Sequence, residues 1–113
     1  MKAISVKQPW AYLICSGVKD IENRTWPCPK KYIGKRVLIH ASAVPIEMVN
    51  PNSVFTKAQW DRSSMGFQRE LICGNSIVNS AIIGSVMITD CVVNHLSVWA
   101  EKGVNNWVLS HAV

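Results

Sequence analysis

The apolar residues of the N-terminal third fall into short groups separated by turn-forming residues. Residues 3–6 predict a short strand, and the apolar stripe that begins at Trp10 has the three-to-four-residue spacing of a helix. Gly17 stands where such a helix would end. Residues 18–25 predict a second strand, which must end at the Pro27-Cys28-Pro29 segment because proline cannot donate to a central ladder.

Two longer apolar runs predict further strands. Residues 35–41 are almost entirely apolar after a charged start, as expected for a strand that is buried on both faces. Residues 80–93 are rich in Ile and Val, and the Gly84-Ser85 pair indicates a bulge or a close approach of another chain segment. Residues 94–103 predict a loop or a helical turn, and residues 106–113 predict a final strand.

The segment 44–75 interrupts this series of strands and resembles an insert. Apolar positions between 46 and 49 allow a short helix, and those between 54 and 73 fit helical spacing better than alternation. The order β-α-β-β-α-β-β predicts one α+β domain over residues 1–113. In this domain a curved mixed sheet carries the helices, in contrast to a parallel βαβ sheet.

Length and composition narrow the class of protein. A chain of 113 residues has room for one core, and 49% hydrophobic residues with 17% charged residues exclude a disordered tail. No apolar stretch is long enough to span a bilayer, and residues 1–7 lack the core of a signal peptide. We therefore expect a cytoplasmic protein with no membrane partner. The cysteine and histidine spacings match no metal site, so we expect free thiols, no metal and no cofactor.

The charge is distributed unevenly along the chain. The net charge is +5, but residues 1–36 hold eight basic and two acidic side chains, which is 8 − 2 = +6 and leaves −1 for the rest. A basic half on a small domain favours a polyanionic partner, because neutralised phosphates release counterions. A solvated basic face explains the same composition.

Two motifs near the N-terminus are the most specific features of the sequence. The first is SVKQPWA at residues 5–11, and the second is GVKDIENR at residues 17–24. Together they resemble the signature of the ASCH family, whose members are small relatives of the PUA RNA-binding fold. The resemblance implies a PUA-like β-barrel or a strongly curved mixed sheet flanked by helices, and RNA or a modified nucleoside as the partner.

The end of the sequence departs from the family pattern. Family members typically continue past the Trp-Val-Leu strand into one more strand, whereas this sequence stops at Val113. Either the chain is shortened, or the sheet is open at its C-terminal edge. Because an unpaired edge invites pairing with another chain, an open edge predicts a homo-oligomer.

The second motif predicts a nucleotide-binding cleft. Glu22 and Arg24 project to the same face of a strand, about 6–7 Å apart. The guanidinium group can hold the carboxylate while its other N–H groups bind a phosphate or a base carbonyl. Lys19 falls on the opposite face by strict alternation, but it follows Gly17, where the chain is still turning, and its long side chain can reach the cleft. The residues predicted to bind a nucleotide are Gln8, Trp10, Lys19, Glu22, Arg24 and Trp26.

Several of these residues have plain structural alternatives. An exposed Glu22–Arg24 ion pair would contribute little to stability. Trp10 either stacks on a base or packs in the core. A second basic cluster, predicted to follow the nucleic-acid backbone or to be a solvated turn, consists of Lys30, Lys31, Lys35 and Arg36.

The resemblance also allows an enzymatic function as an alternative. Some ASCH-like proteins are amidohydrolases that act on N4-acetylcytidine, and others have been described as ribonucleases. The amidohydrolases use a Lys in the G-x-K position, a Thr nucleophile and a distant Glu. Lys19 matches the Lys as catalytic base, but Glu22 replaces the Thr, so a water activated by Glu22 is the mechanism that remains, with Arg24 stabilising the negative charge. A regulatory protein that binds no nucleic acid is the third class.

Overall fold

The computed structural model describes residues 1–43, 54–73 and 78–113. Strands and helices alternate in the way that the sequence predicts for an α+β domain. A helix at 46–49 lies outside the described residues. In chain order the elements are β1 (Ala3–Val6), α1 (Trp10–Cys15), β2 (Ile21–Arg24), a 3₁₀ turn (Lys30–Tyr32), β3 (Arg36–Ala41), α2 (Lys57–Arg62), α3 (Met65–Cys73), β4 (Ala81–Val93) and β5 (Asn105–Ser110).

The five strands form one mixed sheet in the order β1-β3-β4-β5-β2. The pairing of β1 with β3 is parallel, and the other pairings are antiparallel. The long strand β4 pairs with β3 through its first half and with β5 through its second half. Register shifts between Ile39 and His40 and between Ile88 and Asp90 mark irregularities of the kind that bend a sheet.

The sheet is open, so the closed-barrel form of the fold prediction is wrong. The opening is also not at the C-terminal strand, because β5 lies inside the sheet between β4 and β2. The edge strands are β1 and β2, and an Arg24 side-chain N–H donates to the Ser5 carbonyl across the space between them, at 2.9 Å. We call this opening between β1 and β2 the seam. The homo-oligomer expected from an open edge stays a prediction.

Local sequence signals account for most element boundaries. α1 ends before Gly17, whose φ of 82° lies in the left-handed region that glycine adopts without strain. β2 begins three residues later than predicted, because residues 18 and 19 still donate their N–H groups to the Leu13 carbonyl. α2 begins with a capping box formed by Thr56 and Gln59.

One sheet face and two clusters of apolar side chains form the core. In β3, Val37, Ile39 and Ala41 are buried, while the alternate residues are half-buried. The prediction that this strand is buried on both faces is therefore wrong, because its second face is only partly covered. The first cluster lies on the sheet, and the second packs β2 and α1 against the helical segment through Leu13, Ile21, Phe55, Phe67 and Trp99.

Gly84 confirms the predicted close approach in β4. A Cβ atom at this position would lie 2.7 Å from the Cys15 sulfur and 2.8 Å from the Val113 carbonyl oxygen. The backbone of Ser85 also exchanges two hydrogen bonds with that of Val113. Helix α1 and the C-terminal residues thus meet β4 where only a glycine fits.

We expect Gly84→Ala to lower the free energy of unfolding by about 1–3 kcal/mol, since the added methyl group must displace backbone as well as the Cys15 sulfur. Gly66→Ala is the matched control, because its Cβ would meet only the Ser64 hydroxyl, at 3.9 Å, and alanine is the better helix former. Urea unfolding measures both. A Gly84→Ala midpoint at or above that of the parent chain would contradict the close packing.

Candidate functional site

Three charged side chains of the second motif converge at the seam. One carboxylate oxygen of Glu22 lies 3.0 Å from an Arg24 nitrogen, and the other lies 3.9 Å from the Lys19 ammonium nitrogen. Lys19 and Glu22 are buried, with 5% and 8% of their surface exposed, and Arg24 is half-buried. The arrangement is a buried ion triad of two cations and one carboxylate, not an exposed ion pair.

Lys19 reaches the triad because it precedes the strand. Its N–H group still belongs to the turn that closes α1, so strict alternation along β2 does not apply to it. Its ammonium group donates to the Ile21 carbonyl. The Asp20 carbonyl accepts from Leu109 on β5, so the alternation of an antiparallel ladder turns the Ile21 carbonyl towards the seam.

Arg24 has the corresponding role on the other edge. The Lys2 and Val6 carbonyls accept from β3 and the residue that follows it, so alternation turns the Ser5 carbonyl towards the seam. Arg24 donates to this carbonyl at 2.9 Å. Each free edge therefore has a carbonyl capped by a cation, and Glu22 lies between the two cations.

Burial shifts both titrating members of the triad towards their neutral forms. Burial lowers the pKa of Lys19 below its ordinary value, although Glu22 and then Glu101 and Asp20 oppose the shift. Burial raises the pKa of Glu22, against the opposing effects of Lys19 and Arg24. The pKa values of the ammonium and the carboxylate are thus shifted towards each other, a pattern that is common at sites of proton transfer.

Tryptophan rings surround the two cations. The Arg24 guanidinium carbon lies 5.3 Å from the Trp26 ring centroid and 5.4 Å from that of Trp107, distances at which cation–π attraction operates. The Trp107 indole N–H donates to the Trp26 carbonyl at 3.2 Å, which holds the two residues together. Trp26 is nevertheless 53% exposed. It therefore forms an open aromatic surface beside a fixed guanidinium group.

Trp10 takes part in both the core and the site. Its ring lies 5.1 Å from the Phe55 ring and 6.4 Å from the Trp99 ring, which is core packing. The Lys19 ammonium nitrogen lies 5.7 Å from the same ring. The half-buried Trp10 therefore separates the aromatic core from the charged seam.

Three neighbouring hollows follow the seam, with volumes of about 280, 260 and 170 Å³. We call them the outer, middle and inner hollows. The outer hollow is lined by residues that include Lys2, Ser5, Arg24, Trp26, Tyr32 and Trp107. The middle hollow is lined by residues that include Ser5, Lys7, Trp10, Glu22, Arg24 and Trp26. The inner hollow is lined by residues that include Trp10, Lys19, Glu22, Asn23, Trp99 and Glu101.

Gln8 is the one predicted nucleotide-binding residue that lines none of these three hollows. It is buried; its side-chain oxygen accepts from the Tyr12 N–H at 2.9 Å, and its side-chain nitrogen donates to the Val78 carbonyl at 2.8 Å. The structure thus gives Gln8 a role in fixing α1 against the segment before β4.

The second basic cluster is not one uniform surface. Arg36 donates to the Ser85 hydroxyl at 3.0 Å and to the His111 carbonyl at 2.8 Å, so it fastens the C-terminal residues to β4. Lys30, Lys31 and Lys35 are exposed on and after the 3₁₀ turn, and Lys31 lies over the Tyr32 ring.

Sequence reasoning missed the far wall of the inner hollow. Asn23 accepts from the Glu101 N–H at 3.0 Å and donates to the Trp99 carbonyl at 2.9 Å, so it ties the loop 94–103 to β2. Asn23 lies inside the second motif, which was a usable signal. Trp99 and Glu101 lie some 75 residues further along the chain, without a motif of their own.

Trp99 has an unused donor. It is only 2% exposed, and its indole N–H has no hydrogen-bond partner among the described residues. The Arg24 Nε–H is likewise buried, and it has no hydrogen-bond partner among the residues that the structure describes. Buried donors without acceptors are costly, and both of these belong to residues that line the hollows.

Residues 1–43, 54–73 and 78–113 contain neither a cluster of metal ligands nor a membrane-spanning helix. No group of three or more His, Cys, Asp or Glu side chains is placed there to hold a metal ion. None of the helices in these ranges is long and apolar enough to cross a bilayer.

We expect Lys19→Met to destabilise the fold by about 3 kcal/mol, because it leaves the Ile21 carbonyl uncapped and Glu22 with one cation. Folding lowers the pKa of Lys19 from its ordinary value of 10.5. In the pH window between the two pKa values the unfolded chain binds more protons than the folded chain, so the free energy of unfolding increases as pH rises through this window. In Lys19→Met this increase in the free energy of unfolding with pH should be absent.

Urea unfolding at several pH values across that window measures the effect, with Lys57→Met as the control. Lys57 is exposed and pairs with Asp61, so its loss should leave stability nearly unchanged. Equal unfolding curves for the two variants would show that Lys19 is not a structural part of the seam.

Comparison with known proteins identifies the family of this chain. No curated protein was found to match the chain. The family model described as ASCH domain matches residues 4–112. This range includes both N-terminal motifs, the sheet except for Ala3, and all but one of the hollow-lining residues named above, Lys2. The chain therefore belongs to the ASCH family.

Proposed function

We propose that this protein binds RNA or a nucleoside in the seam, with a base against Trp26 and with Arg24 as the contact to a phosphate or base carbonyl. The observation that carries the proposal is the position of the Arg24 guanidinium group. Glu22 holds it at the mouth of two hollows, with Trp26 and Trp107 beside it. RNA-binding sites commonly combine a cation with a stacking surface in this way.

The hydrogen bonding of Arg24 supports the proposal. One side-chain nitrogen serves both Glu22 and the Ser5 carbonyl, which fixes the direction of the side chain. A guanidinium group has five N–H donors, and the buried Nε–H has no partner among the described residues. Arg24 is therefore held in place and still has donors for a ligand.

The size and surface of the hollows support a base as the ligand. A cavity of about 150 Å³ holds a single benzene ring. The outer and middle hollows, at about 280 and 260 Å³, are therefore large enough for a heterocycle. Stacking of a base on an aromatic side chain contributes about 1–3 kcal/mol, and Trp26 is the exposed ring that lines both hollows.

We expect Trp26→Ala to weaken binding of a labelled RNA oligomer about 10- to 100-fold, which corresponds to the loss of one stacked base. Trp26→Phe should retain most of the affinity, since a ring remains. Tyr12→Ala is the control, because Tyr12 is a partly exposed aromatic residue that lines none of the hollows.

Fluorescence anisotropy at two or more salt concentrations gives the affinity and its salt dependence. Binding through phosphates should weaken steeply as salt rises. RNA that fails to bind, or that binds Trp26→Ala and the parent chain equally, would contradict the proposal.

Hydrolysis of an acylated nucleoside is a second candidate, favoured by the buried titrating pair at the inner hollow. In this reaction Glu22 takes a proton from water as the water oxygen attacks the acyl carbon. Arg24 stabilises the charge on the acyl oxygen, the bond from the acyl carbon to nitrogen breaks, and Lys19 donates a proton to the leaving nitrogen. The pKa directions of Lys19 and Glu22 suit these roles.

If this second candidate is correct, the protein will release acetate from N4-acetylcytidine, and Lys19→Ala will abolish the release. Glu22→Gln should lower the rate about 10²- to 10⁴-fold, and it serves as a second variant if Lys19→Ala does not fold. Lys57→Ala should keep the parent rate. Absence of acetate in the parent reaction excludes this activity and leaves the binding proposal intact.

A further inference from the structure

We infer that the seam binds a single-stranded nucleic-acid segment several nucleotides long, with bases entering neighbouring hollows in succession. This inference rests on the proposed function and extends it from one base to a strand. The feature behind it is the continuity of the hollows. The outer and middle hollows share Ser5, Arg24 and Trp26 as walls, and the middle and inner hollows share Trp10, Glu22 and Asn23.

Each hollow has the size and the wall needed for one base. The smallest has a volume of about 170 Å³, which exceeds the roughly 150 Å³ that accommodates a benzene ring. Every hollow also has at least one partly exposed aromatic wall: Tyr32 in the outer, Trp26 in the middle and Trp10 in the inner. Stacking on aromatic side chains accepts any base, as binding of a continuous strand requires.

The charges along the seam fit a phosphate backbone. Among the described residues, the hollows are lined by four cations, Lys2, Lys7, Lys19 and Arg24, and by two acids, Glu22 and Glu101, which is 4 − 2 = +2. Lys2 and Lys7 are exposed and stand just outside the two ends of β1. Five residues of extended chain separate them by about 16 Å. One stacked nucleotide advances only about 3.4 Å, so both lysines can act together only on a longer strand.

The donors at the seam that have no acceptor favour the unpaired bases of a single strand over the paired bases of a duplex. Two residues that line the hollows, Trp99 in the inner one and Arg24 in the other two, each have a buried N–H group without an acceptor among the described residues. The Watson–Crick edge of a base offers its acceptors only when the base is not paired with another strand. A duplex would have to unstack its bases before they could enter the hollows, which costs a few kcal/mol for each base.

The test is a length series of fluorescently labelled oligouridylates of one, two, three, four and six nucleotides, with the same series in deoxythymidylate and one RNA duplex of twelve base pairs. We expect affinity to rise at least tenfold between one and three nucleotides, to level off by six, and to be at least tenfold lower for the duplex. The two sugar series show which single strand binds, and the length dependence in either one supports the inference.

Two surface variants locate the strand. Lys2→Gln and Lys7→Gln should each reduce the salt dependence of hexamer binding by about one ion, and should reduce the salt dependence of uridine monophosphate binding by less. Lys57→Gln is the control and should change neither, because Lys57 lies on α2 and lines none of the hollows. All three lysines are exposed, so the variants should fold.

The outcomes separate the inference from the function on which it rests. Uridine monophosphate that binds as tightly as the hexamer, or a duplex that binds as tightly as the single strand, overturns the strand-binding inference and leaves nucleoside binding in place. A Lys2→Gln or Lys7→Gln effect equal for the monophosphate and the hexamer also overturns it. Failure of every oligomer and of the monophosphate to bind removes the proposed function as well.

Discussion

The structure depends on how one carboxylate is buried between two cations at a sheet that does not close. A free strand edge carries carbonyl groups that need donors, and burying such a group without a partner costs free energy. Lys19 and Arg24 supply donors to the Ile21 and Ser5 carbonyls, one on each edge. Glu22 makes their common burial possible, because it offsets part of the positive charge at close range.

Closing the seam with side chains has a consequence that a hydrogen-bonded ladder would not have. Two strands paired directly lie about 4.8 Å apart and leave no room between them. Here the Arg24 side chain crosses from β2 to the Ser5 carbonyl on β1, and it forms a wall shared by two hollows. The groups that complete the fold are therefore the groups that a ligand would meet. The charged side chains of Lys19 and Arg24 in the sheet opening also discourage pairing with another chain, as inward-pointing charges do on natural sheet edges.

The sequence predicted the local elements better than their assembly. The first strand, the helix ended by Gly17 and the tight contact at Gly84 were predictable, because each depends on neighbouring residues or on the absence of a side chain. The position of β5 inside the sheet was not, because strand order depends on contacts that no local pattern records. The half-exposed face of β3 shows the same limit, since an apolar run does not reveal what covers it.

The candidate site was predictable to the extent that its residues share one motif. Its three charged residues are close in sequence: Lys19, Glu22 and Arg24. Their spacing and the lengths of their side chains were therefore enough to predict that they meet. Gln8 shows how a motif residue can instead hold a helix in place. Trp99 and Glu101 come from a distant loop that only the fold brings to Asn23.

The most direct test of the account is a crystal structure of the protein soaked with uridine monophosphate. We expect the base against Trp26 and the phosphate or a base carbonyl on the Arg24 guanidinium group, with the Glu22–Arg24 contact retained. A nucleotide bound instead at the exposed lysines Lys30, Lys31 and Lys35, with the seam empty, would contradict the central claim that the ion triad builds the binding site.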